Sequence, residues 1–189
     1  QQIVTAAMTV LAENGYAQTS IAKIADHIGI AKSVVLYHFK TKIDIIEAVI
    51  AAVFTAALTE MVPAMTAAES ATDRLAAYIR SNIAFIDRNR VAATAMLEIV
   101  TGYRSPGGLR LDQTADAPPE LAALDPESIF NDGIRSGEFR ALSAPFMKNA
   151  LRSALDGAVW ELNRDPAYDI RGYGDELVTL FGAATRHAS

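Results

Sequence analysis

The chain has 189 residues, of which 51% are hydrophobic and 21% charged, with no cysteine and a formal net charge of −5. That length suits one compact unit or a small domain joined to a larger one, and the apolar share excludes a disordered chain. The missing cysteine excludes a disulfide framework and a thiolate metal site and fits a reducing cytoplasm, while the negative charge taken alone argues against a polyanion partner.

Taken in order, Ile3, Val4, Ala7, Met8 and Leu11 recur at three- and four-residue spacing, which predicts an amphipathic helix ending near Asn14 with Gly15 as its C′ residue. The pattern is helical from Gln1, so an N-terminal arm is expected ahead of it. Thr19 or Ser20 can cap a short second helix that carries Ile21, Ile24, Ala25 and Ile28 on one face and stops at Gly29. A third helix is predicted from Ala31 to Phe39, and Lys42 and Asp44 open a long fourth one reaching toward Pro63. Helical patterns follow over residues 71–90 and 91–100, with Leu75, Tyr78, Ile79, Asn82, Phe85 and Ile86 on one side of the first.

The stretch "GYRSPGGLRLDQTADAPPE", with three glycines and three prolines, reads as a long loop. Three further helices are predicted over residues 120–136, 145–163 and 173–186, with Gly137, Pro166 and Gly172 at the joins. No alternating strand and no repeat is visible, so the expected fold class is all-α. No uninterrupted apolar run approaches the ~18 residues that span a bilayer, and no charged-then-apolar leader is seen, so neither a spanning nor a secreted protein is expected.

Charge is unevenly spread. Between residues 23 and 42 stand four lysines, Lys23, Lys32, Lys40 and Lys42, against one acid, Asp26, while Asp112, Asp116, Glu120, Asp125 and Glu127 cluster elsewhere. Two short helices with a glycine-bearing join, braced by a third, make a helix-turn-helix over about residues 20–39, whose second helix would enter a major groove. A generic core hairpin has the same geometry. Lys32, Ser33, Tyr37, His38 and Lys42 are donors that a buried hairpin does not need, whereas Ile24, Val35 and Phe39 suffice for its core. Against these phosphate roles, Tyr37 is also readable as a core aromatic and His38 as a cation at a helix end. Lys40 reads as solvated, and His27 and His187 lack a partner at metal spacing.

The residues "NGYAQTSIAKIADHIGIAKSVVLYHFKTKIDI" resemble the TetR family of bacterial transcriptional regulators, and "GIRSGEFRALSAPFMKNALRSALDGAV" is similar to the segment those proteins carry before their dimer-forming helices. The resemblance implies a DNA-binding domain at residues 1–44 and a ligand-binding and dimerisation domain at 45–189. It implies phosphate contacts from Thr19 or Ser20, Lys32, Tyr37, His38 and Lys42, with Ser33, Val34 and Leu36 facing bases. Ala31 departs from the Ser that often caps this helix, and Leu36 from a common Tyr. With no Arg, Asn or Gln on the helix, specificity is expected from thymine-methyl contacts of Val34 and Leu36, from Ser33, from the arm, and from DNA shape.

Two half-sites demand two-fold symmetry, hence a homodimer. Ala150, Ser153, Ala154, Gly157 and Ala158 place small residues on one side of their helix, and Leu177, Leu180, Phe181 and Ala184 form an apolar stripe; together they suit a four-helix bundle across the axis. Packing within one chain is the competing reading for the small residues. The resemblance further implies an inducer site in the body, with Met61, Met65, Tyr78, Phe85, Met96, Tyr103, Phe130 and Trp160 as candidate walls, Glu98, Arg104 and Asn131 as candidate polar anchors, and the 102–119 loop as a lid or an entry. The fourth helix would be the lever between ligand and DNA. No catalytic, cofactor or metal motif is present, so no enzyme is expected; the resemblance implies a cytoplasmic, DNA-associated bacterial repressor released by a small, largely apolar ligand. A ligand-independent regulator, an activator, or a helical carrier that binds no DNA are the alternatives.

Overall fold

The computed structural model describes residues 1–104, 108 and 119–187, and among them finds helices and no strand. The helices are α1 (Gln2–Gln18), α2 (Ile21–His27), α3 (Lys32–His38), α4 (Lys42–Thr66), α5 (Ala71–Arg88), α6 (Arg90–Gly102), a 3-10 helix (Pro119–Leu124), α7 (Pro126–Ser136), α8 (Ala144–Arg164) and α9 (Ile170–Thr185). The expected 102–119 loop lies for the most part outside the described residues.

The chain forms two compact units. Residues 1–56 with the described part of 89–116 make one, and residues 57–88 with the described part of 117–189 make the other. Packing thus groups α6 with α1, α2, α3 and the first part of α4, beyond the 1–44 segment assigned to DNA binding from sequence.

In the first unit α1 packs against α2 and α6, and α2 against α3. Of the expected α1 stripe, Val4, Ala7 and Leu11 are buried and Ile3 and Met8 half-buried, with Val10 joining the core beside Ile24 and Ala25 of α2, Val35 of α3 and Ile99 of α6. Gly15 breaks α1 with φ 78°, a conformation that side-chain-bearing residues rarely adopt, and the helix resumes for a single turn to Gln18. Between α2 and α3 the chain reverses through Gly29 at φ 69°. The Gly29 N–H donates to the Asp26 carbonyl at 3.2 Å and the Ile30 N–H to the Ala25 carbonyl at 3.1 Å, the paired bonds of a Schellman ending.

In the second unit α5 packs against α7, α8 and α9, α7 against α8, and α8 against α9. Its core holds Leu75, Tyr78 and Ile79 of α5, Ile129 and Phe130 of α7, Leu151 and Leu155 of α8, and Phe181 of α9. Glu138, on the α7–α8 connection, caps α5 from a distance by accepting from the Ala71 N–H at 3.0 Å and the Thr72 N–H at 3.1 Å.

Two expectations need correction. Helix α4 runs through Pro63 to Thr66: the ring removes one donor, and beyond it the Ala67 N–H still donates to the Pro63 carbonyl at 3.2 Å. The single helix expected over 120–136 is divided: Asp125 is extended ahead of Pro126, as the residue before a proline prefers, and its carboxylate caps α7 by accepting from the Glu127 N–H at 3.0 Å. Although Glu47 and Glu60 interrupt its apolar run, α4 is long and apolar enough to cross a membrane by length and composition, with 33% of the apolar window buried.

Candidate nucleic-acid interface

The reading end is built on two capped turns. Ser20 caps α2 through its hydroxyl, which accepts from the Lys23 N–H at 3.3 Å. Ala31 starts α3 without a side-chain cap, as its methyl requires. Beyond α3, Asp44 closes the turn into α4 by accepting from the Lys40 N–H (2.9 Å), the Thr41 N–H (3.0 Å) and the Thr41 hydroxyl (2.8 Å), while the Asp44 N–H donates back to that hydroxyl at 3.2 Å. This reciprocal arrangement holds the Asp44 carboxyl below the ordinary aspartate range, chiefly through the Thr41 hydroxyl. Thr41-x-x-Asp44 has capping-box spacing, a signal available in the sequence and not used above.

Helix α3 turns one face inward and the rest outward. Val35 is fully buried and Leu36 and Phe39 half-buried, whereas Lys32, Ser33, Val34, Tyr37 and His38 are exposed. Tyr37 is 78% exposed, which removes the core-aromatic reading, and its ring meets that of His38 edge-on at 5.2 Å. An apolar isoleucine or leucine would gain nothing there. Four donor-bearing side chains and one valine thus share the outer surface of a helix that lies between the Ser20-capped α2 and the Asp44-closed turn into α4, with Lys23 and Lys40 also exposed nearby in sequence. This is what backbone-contacting and groove-reading residues need.

Two of the expected DNA contacts face inward. Thr19 is buried, and its hydroxyl donates to the Gly15 carbonyl at 2.8 Å, tying the last turn of α1. Lys42 is half-buried; its ammonium donates to the Tyr16 carbonyl at 2.5 Å and stands 4.0 Å from the centre of the Tyr16 ring. Burial holds the Lys42 ammonium below the ordinary lysine range.

Of the residues expected at an inducer site, Glu98 and Tyr103 meet the same Tyr16. Glu98 accepts from the Tyr16 N–H at 3.1 Å, and the Tyr103 ring stands edge-on to the Tyr16 ring at 6.4 Å. Arg104 donates to the Tyr103 and Thr101 carbonyls at the end of α6. Met61, Met65, Tyr78, Phe85 and Phe130 are buried in the second unit, Met96 is half-buried in the first, and Asn131 and Trp160 are exposed. The structure therefore brings Glu98 and Tyr103 together at Tyr16 within the first unit, while the buried Met61, Met65, Tyr78, Phe85 and Phe130 belong to the second.

The expected dimer residues also divide. Ala158, Leu177 and Phe181 are buried within the chain. A Cβ added at Gly157 would meet the Tyr173 hydroxyl at 2.8 Å, and that hydroxyl donates to the Ala154 carbonyl at 2.7 Å, so Ala154 and Gly157 admit Tyr173 of α9. Ser153 and Leu180 are exposed, and Ala150 and Ala184 half-exposed. Phe146 and Trp160, 68% and 56% exposed, stand seven residues to either side of Ser153 and so share its stripe on α8. Sequence reasoning passed over Phe146, whose only signal is that heptad spacing.

Residues 3–49 match the model of the bacterial regulatory proteins, tetR family. The chain is 28% identical over 184 residues to a fatty acid metabolism regulator protein of Bacillus subtilis, covering 95% of this chain and 91% of that protein. Among solved structures, the transcriptional regulator FadR from Bacillus subtilis in complex with stearoyl-CoA superposes with a TM-score of 0.72 at 21% identity, covering 98% of both chains. A tetR-family regulatory protein from Rhodococcus RHA1 gives 0.76 at 21% identity, covering 100% of this chain and 97% of that one. These relatives are regulators, not enzymes.

Proposed function

We propose that the chain is a transcriptional regulator of the TetR family, with its DNA-binding module over the matched residues 3–49, and that it is a homodimeric repressor released from its operator by a fatty acyl thioester. The observation that carries the DNA-binding part is the outer surface of α3. A net-negative protein places Lys32, Ser33, Val34, Tyr37 and His38 in solvent on one short helix held by Val35, and adds the exposed Ser20 cap of α2. Lys32, Tyr37, His38 and Ser20 take phosphates; Ser33, Val34 and the edge of Leu36 face bases.

Dimerisation follows from the exposed apolar residues. Phe146, Ser153 and Trp160 along α8 and Leu180 on α9 supply a row that a second copy would cover, with Ala150 and Ala184 allowing close approach. The ligand reading rests on the relatives: one is a fatty acid metabolism regulator, another holds stearoyl-CoA. Met61, Met65, Tyr78, Phe85 and Phe130 supply apolar walls of the kind an acyl chain needs, all within the second unit. Such a regulator would work in the bacterial cytoplasm.

Titrating the full chain onto a duplex from its own upstream region, against random duplex and across a salt series, tests this reading. Preferential binding that weakens with salt and is reversed by stearoyl-CoA is expected. Equal, negligible binding to both duplexes at low salt would overturn it in favour of a carrier.

A further inference from the structure

We propose that Lys42 is a positioning residue, not a phosphate contact: it clamps the last turn of α1 from the start of α4 while Glu98 holds the same turn from α6, and the two together set the attitude of the reading helices. This rests on the regulator reading above.

Tyr16 is the point of convergence. It follows Gly15, where the positive φ redirects the chain, so the turn 16–18 is not carried by the body of α1. Its N–H donates to Glu98 and its carbonyl accepts from Lys42, so both backbone groups of one residue are held by charged side chains from two other helices. Its ring lies under the Lys42 ammonium and edge-on to Tyr103. Gly102 of α6 approaches so closely that an added Cβ would stand 2.6 Å from the Tyr16 Cβ, and a Cβ at Gly15 would meet the Glu98 carboxylate at 3.1 Å. A larger residue at Gly102 would push α6 away, whereas at Gly15 it is the positive φ that demands glycine.

An ammonium with a carbonyl at hydrogen-bond distance and an aromatic face beneath it has satisfied much of what a phosphate would offer. Exchanging these partners for DNA would release the turn that leads directly into Thr19, Ser20 and α2. Lys42 and Glu98 both contact Tyr16, so each acts through it on α2 and, through the Gly29 turn, on α3.

The test compares Lys42→Ala, Lys42→Arg, Glu98→Ala and the Lys42→Ala/Glu98→Ala pair with Lys32→Ala in the upstream-duplex titration across salt. A lost phosphate contact lowers the slope of log K against log salt by about 0.9, which is expected of Lys32→Ala. Lys42→Ala is expected to weaken specific binding about tenfold with its slope unchanged, Lys42→Arg not to restore it, and the pair to lose less than the product of the single losses. A slope reduced by about 0.9 in Lys42→Ala, with affinity restored by arginine, would overturn the proposal while leaving the regulator reading intact. Failure of the unmodified chain to bind any duplex would overturn the regulator reading instead. Amide exchange then decides the clamp: the Tyr16 N–H should exchange at least several-fold faster in Lys42→Ala while Val10 is unchanged, and an unaltered Tyr16 rate would refute it.

Discussion

Gly102→Ala tests the closeness of α6 to α1. The new Cβ would lie 2.6, 2.7 and 2.8 Å from Cβ, Cγ and Cδ1 of Tyr16, where carbon pairs settle at about 3.5–4.0 Å. The shortest of these contacts is to a Cβ, which no side-chain rotation can move aside, so the helices must part by something near 1 Å or Tyr16 must leave its place. Overpacking of this kind costs about 1–3 kcal/mol, offset by at most about 1 kcal/mol from replacing a helical glycine. A net loss of about 1–2 kcal/mol corresponds to a Tm lower by roughly 3–6 °C in a chain of this size. Gly182→Ala is the control: it lies within α9, nothing stands within 4 Å of its added Cβ, and its Tm should hold or rise by a few degrees. Differential scanning calorimetry of both variants, with the upstream-duplex titration, separates the cases. If Gly102→Ala is as stable as Gly182→Ala and binds DNA as tightly as the unmodified chain, the close approach is absent and the reasoning about Tyr16 fails with it.

Glu138 donates no proton at neutral pH and is held below the ordinary glutamate range by the Ala71 and Thr72 N–H groups. A carboxylate with a depressed folded pKa contributes stability that is present above its unfolded value of about 4.3 and is lost as pH falls through the folded value. Glu138→Gln should therefore lower the Tm at pH 7 and flatten its decline on the acid side; an identical acid limb in both proteins would count against the cap. Asp44→Ala removes three accepted hydrogen bonds at the α3–α4 turn, so operator binding should fall several-fold with only a small change in overall Tm, as read by titration and melting together. Trp160→Glu and Leu180→Glu place charge on the exposed α8 and α9 residues, and sedimentation should show monomers that bind one half-site weakly; an unchanged dimer would move the interface elsewhere.

The reading end was legible because its signals are local. The spacing of Ile24 and Val35, the glycine at 29 and the hydroxyl at 20 each act within a turn of their own position, so period and punctuation suffice to find them. Lys42 and Glu98 were assigned from type and place in the chain, one as a phosphate contact and one as a ligand anchor. What holds them is 26 and 82 residues away in sequence, at Tyr16, and no periodicity reports a pair so distant. The same holds for Glu138 capping Ala71 and for Tyr173 filling the space beside Gly157. Small residues on α8 suggested an interface between chains, and two of them proved to serve a neighbour within the chain. Trp160 was taken for a pocket wall on hydrophobicity alone, which cannot tell an inward from an outward face when both sides of a helix are partly apolar.

A repressor of this kind needs a modest amount of coupling. A hundredfold loss of operator affinity on ligand binding requires that the ligand favour the non-binding conformation by the same factor, about 2.7 kcal/mol. That is comparable to one or two charged hydrogen bonds of the kind Tyr16 makes, so no large rearrangement is demanded. The covalent link with fewest soft torsions between the two units is α4, which begins at Lys42 in the first unit and ends at Thr66 in the second. Softening that helix should uncouple the units without touching either site. Ala51→Gly/Ala52→Gly, at an exposed and a half-exposed position in mid-helix, costs about 1 kcal/mol per glycine and lets the helix bend. Operator affinity without ligand should stay within a few-fold, stearoyl-CoA should still bind by calorimetry, and its effect on the operator complex should shrink from the unmodified value toward none. Full retention of the ligand effect in this variant would mean that α4 is not the lever, and would direct attention to the step from Arg88 to Asn89, where the chain passes between the units again.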